Sequence, residues 1–259
     1  MIQVGKALAP LIVLLEEALL SGKVIHMDET PVQVLNEPDR KAQSQSYMWV
    51  RMGGMTDHPI VLFNYDPSRS SEVPLRLLEG FTGHLMTDGY AGYHAVTKHG
   101  ITGIGCWAHA RRKFKEAEKV QGKSKGSGKV HLALSEIQKL YIIERQIADK
   151  PPDEKLAIRQ VRAGPVLTKM RRWLDKSRTQ VPPKSALGKA LGYLDGEWPR
   201  LARYVDDGRL PIDNNPCENA IRPFVIGRKN WLFSQSQAGV EASAAIYSLI
   251  ETAKRSGHE

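Results

Sequence analysis

Three carboxylates stand out for where they fall. Asp28 closes a short run at residues 24–27 (VIHM), Asp88 follows residues 84–87 and precedes Gly89, and Glu218 lies in the first turn of a helix that Asn215-Pro216 is suited to start. In an open α/β sheet, functional groups gather at strand ends near a switch point in strand order, so Asp28 and Asp88 meet if their strands are neighbours. Paired carboxylates repel unless a cation separates them, and hard Mg²⁺ favours such oxygen ligands. Two ions about 3.5–4 Å apart can stabilise both the attacking and the leaving oxygen of a phosphoryl displacement. A third carboxylate from a helix would complete the shell of the second ion. Plainer readings stand beside this one. Asp88-Gly89 is also an ordinary turn pair, and Asn215 to Glu218 reads N-x-x-E, a capping-box-like start. Glu218 can pair with Arg222 at i,i+4, and Asp213 and Glu241 compete for the third acid.

Residues 24–27, 47–52 and 60–65 are strand candidates. Gly53-Gly54 lies between the second and third, and a polar loop is expected at 36–46. A helix at 71–78, a strand at 84–87, a strand ending at 103–107 and a basic helix at 109–118 follow. The order implies an α/β fold with a mixed five-stranded sheet and flanking helices. Residues 121–129 (QGKSKGSGK) read as a flexible basic linker. Beyond it Ala133, Ile137, Leu140, Ile143 and Ile147 recur at helical spacing, as do Val166, Met170, Trp173 and Leu174, so 130–205 is a helical segment. Pro223 is expected to end the helix begun at Asn215, and a last helix covers 242–254 before Gly257. The chain divides into a leading helix (1–20), a first part of the core (21–120), linker and helical insertion (121–205) and a C-terminal return (206–259).

With 259 residues, 41% hydrophobic and 25% charged, the chain can bury a core and is neither disordered nor a membrane bundle. The apolar stretch at 7–15 is too short to span a bilayer, which takes about 20 residues. Two cysteines, Cys106 and Cys217, make no disulfide framework and fit a reducing cytoplasm. The net charge of +9 favours a polyanion, DNA first. Arg111, Arg112, Lys113 and Lys115 cluster on one helix, Lys123, Lys125 and Lys129 continue through the linker, and Arg222, Arg228 and Lys229 follow Glu218. Such groups give salt-dependent, sequence-blind affinity, although a solvated face is the commoner role of any one cluster. Cys106 and His109 form C-x-x-H, which lacks the second pair that structural zinc needs. Trp49, Trp107, Trp173 and Trp198 lie on apolar periodicity, Trp231 reads as a core aromatic, and His26 shares a strand face with Asp28.

HMDETPVQVL at residue 26, TDGYAGY at 87, CWAHARRKF at 106, DNNPCENAIRPFVIGRKNWLF at 213 and AAIYSLIETAK at 244 occur in this order. Together they closely resemble the catalytic part of insertion sequence 66 family transposases, over residues 8–254. The resemblance implies an RNase H-like fold with a DDE site of Asp28, Asp88 and Glu218, and a helical insertion between the second and third acids. It further implies Mg²⁺, with Mn²⁺ able to substitute, holding to the same three residues. Water would cut a phosphodiester at the transposon end, and the freed 3′-hydroxyl would attack target DNA. Cys106 and His109 would support the site, and Arg111, Arg112, Lys113, Arg222, Arg228 and Lys229 would contact DNA. A homo-oligomer on DNA and a bacterial cytoplasmic, nucleoid-associated setting are implied as well. The family typically carries an N-terminal region for DNA recognition, whereas this chain begins one helix before Asp28. The rivals are an RNase H-like nuclease that only hydrolyses, and a truncated non-catalytic DNA-binding remnant.

Overall fold

A computed structural model describes residues 1–55, 58–121 and 128–258. The chain forms two compact units, one of Met1–Gly103 with Asn214–Glu259 and one of Ile104–Asp213. Of the expected linker, residues 122–127, with Lys123 and Lys125, lie outside the described residues.

The first unit opens with α1 (Ile2–Leu20) and three antiparallel strands, β1 (Val24–Asn36), β2 (Gln45–Met55) and β3 (His58–Asp66). After α2 (Glu72–Leu77), β4 (His84–Thr87) runs parallel to β1, with His26 opposite Met86. Two short 3₁₀ turns, Ala91–His94 and Val96–His99, stand where the expected order placed a helix. They lead to β5 (Thr102–Gly105), which joins at Thr102 N–H to the Gly83 carbonyl, 2.8 Å. The strand order is β3-β2-β1-β4-β5.

Asp28 was expected at the end of a strand, but β1 runs on for eight residues beyond it. The reason is β2, which pairs with β1 without a break from His26 to Gln33. Pro31 is tolerated because a proline on an open edge withholds no ladder bond. What ends near Asp28 is the pairing with β4, not the strand.

The second unit is helical: α3 (Trp107–Gln121), α4 (Lys129–Gln146), α5 (Pro152–Ile158), α6 (Gly164–Arg178), α7 (Ala186–Gly196) and α8 (Trp198–Ala202). Ala133, Ile137, Leu140, Met170 and Leu174 are fully buried, as their spacing predicts. A π-helical turn, Arg159–Ala163, links α5 to α6. Its Arg159 is buried, forked onto Glu144 (2.9 and 2.6 Å) and bonded to the carbonyls of Tyr204 and Asp207. Trp107 is wholly buried and donates Nε1–H to the Leu201 carbonyl, 2.8 Å.

The chain returns to the first unit with α9 (Asn215–Trp231), β6 (Ser234–Ser236) and α10 (Gln237–Arg255). β6 lies parallel to the far end of β1, with Val34 opposite Ser234, so the sheet has six strands, not five. Its three residues, Ser-Gln-Ser, carry neither alternation nor β-branching and left no sequence signal. Pro223 does not end α9, which continues to Trp231. An interior proline costs about 3 kcal/mol, and the burial of Ala220, Ile221 and Phe224 on the sheet outweighs it.

Alternation along the strands separates two apolar layers. Ile25, Met27, Trp49 and Leu62 pack with Leu77 and Leu85 on one face. Val32, Val34, Val50, Val61 and Phe63 meet Ala220 and Phe224 of α9 and Val240 and Ala244 of α10 on the other. α1 lies close on α10: a Cβ at Gly5 would stand 2.7 Å from Ala242. Among the described residues no helix is long and apolar enough to cross a membrane.

Candidate active site

The parallel register of β1 and β4 brings the first two acids level. His26 is opposite Met86, and Asp28 and Asp88 each lie two residues further on. Asp88 sits just past the end of β4, and its Oδ1 accepts the backbone N–H of Tyr90, 2.9 Å. It therefore makes the turn its Asp-Gly pair suggests while standing beside Asp28. Asp28 Oδ1 accepts the N–H of Glu29, 2.9 Å.

Glu218 is held by the start of α9. The cap residue there is Asn214, one position earlier than expected, and its side chain is used elsewhere. Asn214 Nδ2 donates to the Met27 carbonyl, 3.0 Å, and Oδ1 faces His26 Nδ1 at 2.9 Å. These two hydrogen bonds to β1 fix the first turn of α9 beside Asp28, and Glu218 with it. Sequence reasoning passed over Asn214. The one signal was the doubled Asn in DNNP, whose first member takes the cap position while its side chain bonds β1.

The electrostatics follow from this convergence. Burial pushes the Asp28 carboxyl up to about 7, and the charges of Glu29, Asp88 and Glu218 add to the shift against the Glu29 N–H bond. Glu29, next along β1, is raised by burial as well, opposed by Tyr93 and Arg69. Its carboxylate accepts Arg69 Nε–H (2.7 Å) and the Tyr93 hydroxyl. Arg69 stacks 3.8 Å over the Tyr90 ring, and Tyr90 OH donates to the Arg69 carbonyl, 2.8 Å. Glu29 thus ties the segment after Asp88 back to β1. Burial keeps the Cys217 thiol protonated, and Asp28 reinforces the effect.

The other expected residues fall on both units. Cys106, buried, and His109, facing Arg112 at 3.2 Å, belong to the helical unit, as do Arg111, Arg112 and Lys113 on α3. Arg222 and Lys229 are exposed on α9. Arg228 is half-buried and donates to Thr30 Oγ1 (2.9 Å) and to the Pro31 carbonyl. Of the rival acids, Asp213 accepts the Tyr141 hydroxyl (2.8 Å) within the helical unit, and Glu241 pairs with Gln237 on α10. Trp231 packs edge-on against Phe224, 5.5 Å between centroids, in the core role expected of it.

The model of the family described as "Transposase IS66 family" matches residues 1–242. The chain belongs to the IS66 transposase family. Related proteins of Sinorhizobium fredii (strain NBRC 101917 / NGR234) include y4hP, 31% identical over 96% of this chain and 48% of its own length. Another, y4qI, is 30% identical over 93% and 46%. This IS66 chain therefore spans about half the length of the curated relatives it matches. A chain from the cryoEM structure of the simian T-cell lymphotropic virus intasome in complex with PP2A regulatory subunit B56 gamma is 15% identical, over 55% of this chain and 49% of that one. Its TM-score of 0.27 is too low to carry an argument.

The three acids all lie within the residues that the family model matches. Their donor set suits a divalent cation: carboxylate oxygens are the ligands hard ions prefer. Burial is the largest cause of the raised Asp28 carboxyl, and the charges of Glu29, Asp88 and Glu218 add to it, a concentration of negative charge that a bound cation would offset.

Proposed function

We propose that the chain is the catalytic region of a DDE-type DNA transposase with an RNase H-like core. In this reading it cuts phosphodiesters at transposon ends and joins the freed 3′-hydroxyl to target DNA. The observation that carries this is the convergence of Asp28, Asp88 and Glu218, separated by 60 and 130 residues in sequence, on one unit of the fold. These three would hold Mg²⁺, for which Mn²⁺ would substitute. Bound there, a divalent ion supplies Lewis-acid stabilisation of the charge that develops on phosphate oxygens.

The protein's own groups set the geometry. The Glu29 and Tyr90 amides orient Asp28 and Asp88. Asn214 holds α9, and so Glu218, against β1. Arg69 and Tyr93 hold the Glu29 carboxylate in place, and its charge adds to that of the cluster around Asp28. DNA affinity would come from the charge of the helical unit, where 24 of the 37 Lys and Arg stand against 13 of the 28 Asp and Glu. That unit carries a net +11, and the remainder of the chain −2.

The test is nicking and joining of plasmid DNA in Mn²⁺ by the purified chain beside Asp88→Ala, with both shown folded by circular dichroism. Joined products that vanish in the variant are expected. Nicks without joining would mean a hydrolytic nuclease. DNA binding with no cleavage in the native chain would sink the catalytic reading.

A further inference from the structure

β1 has a gap in one edge. β4 covers that edge at Val24–His26 and β6 at Val34–Asn36, and between them no strand of the described residues pairs with it. Side chains serve the backbone there. Glu29 N–H is taken by Asp28, Pro31 has no N–H, and the Pro31 carbonyl accepts Arg228. Beside the gap lies a cavity of about 390 Å³, within the usual range for a small-molecule site, lined among others by Gln33, Gln43, Gln45, Arg228 and Leu232.

Three features point to one class of occupant. Arg228 is fixed by Thr30 Oγ1 and Pro31, so its guanidinium is a preset positive group of the kind that grips phosphate. Gln33 and Gln45 face each other across the β1–β2 register, and Gln33 is anchored on the Ala42 carbonyl at 2.8 Å. Side-chain amides of this kind read the edge of a nucleobase. Leu232, 64% exposed on this cavity, is held at φ 64, a region costly for a side chain with a Cβ and typical of ligand clamps. Pro31 lies three residues beyond Asp28, ~10 Å along β1, about the axial length of three base steps. An added peptide strand fits less well, because Pro31 and Arg228 leave it few backbone partners.

We infer that this cavity takes one unstacked nucleotide of the DNA strand bound at the acids, its phosphate on Arg228 and its base edge on Gln33 and Gln45. The inference rests on the proposed function and names the form of its substrate: a strand with an unpaired nucleotide within about three positions of the cut.

The probe is a short duplex with single-stranded tails carrying 2-aminopurine at each tail position in turn, mixed with the full chain in Ca²⁺. Fluorescence is expected to rise at one position near the junction. The rise should be lost in Gln45→Ala and in the near-isosteric Gln45→Glu, with unchanged melting temperatures. Binding of the tailed duplex should weaken about tenfold, the scale of one base contact, while that of a blunt duplex holds. No position-specific rise, or a rise that survives both variants, in a protein that nicks plasmid DNA would overturn the pocket and leave the proposed function standing. A native chain that neither binds nor nicks DNA would overturn both.

Discussion

Asp28 carries its carboxyl where burial and three neighbouring acids oppose its charge. Its native pKa, about 7, lies above the ordinary 3.8. From about pH 4 to pH 7 the native state therefore binds more protons than the unfolded one, and stability falls as pH rises through that window. Above pH 7 the full penalty stands, on the order of a few kcal/mol. Without divalent ions at pH 8, Asp28→Asn is expected to raise the melting temperature. Mn²⁺ is expected to raise it for the native chain and not for the variant. Differential scanning calorimetry at pH 5 and pH 8 checks both; a variant that melts lower than the native chain at pH 8 without metal would contradict the electrostatic account.

At the scale of elements, β3 shows how an exposed strand edge is closed. Ser248 Oγ accepts Phe63 N–H (2.8 Å) and donates to the Ala244 carbonyl of its own helix (2.7 Å). Thr252 Oγ1 accepts Val61 N–H (3.0 Å) and donates to the Val61 carbonyl (3.1 Å). Two hydroxyls one turn apart on α10 thus finish the hydrogen bonds of an edge strand that would otherwise invite pairing with another chain. Ser248→Ala and Thr252→Val should each destabilise by about 1–3 kcal/mol, because each leaves a buried backbone donor unpaired. Urea denaturation measures the loss, and aggregation during refolding should increase in the double variant.

Across the whole molecule, charge and chemistry are divided. The unit with the three acids has a net charge of −2, and the helical unit +11. Sequence-blind affinity for DNA should therefore respond to the helical unit. Replacing Arg111, Arg112 and Lys113 with Ala should weaken binding at low salt. It should also flatten the salt dependence of log K by about 0.9 for each phosphate contact removed. Binding isotherms between low and physiological salt test this; an unchanged slope would remove α3 from the DNA-contacting surface.

Much was legible in the residues themselves because it is local. β4 is bounded as its run suggests, the apolar steps of α4 are buried, as are Met170 and Leu174 of α6, and Trp49 and Trp107 are core. The ordered motifs marked the family. The tertiary fold decided what local pattern cannot encode. It carried β1 through Pro31, because β2 pairs with it without a break from His26 to Gln33. It ran α9 through Pro223, because a buried face outweighs a missing N–H. It moved the helix cap to Asn214 and used that side chain to bind β1. Three acids far apart in sequence are only spacing until a parallel register and one helix anchor bring them together. Burial, which no single residue type specifies, then gives Asp28 its shifted carboxyl.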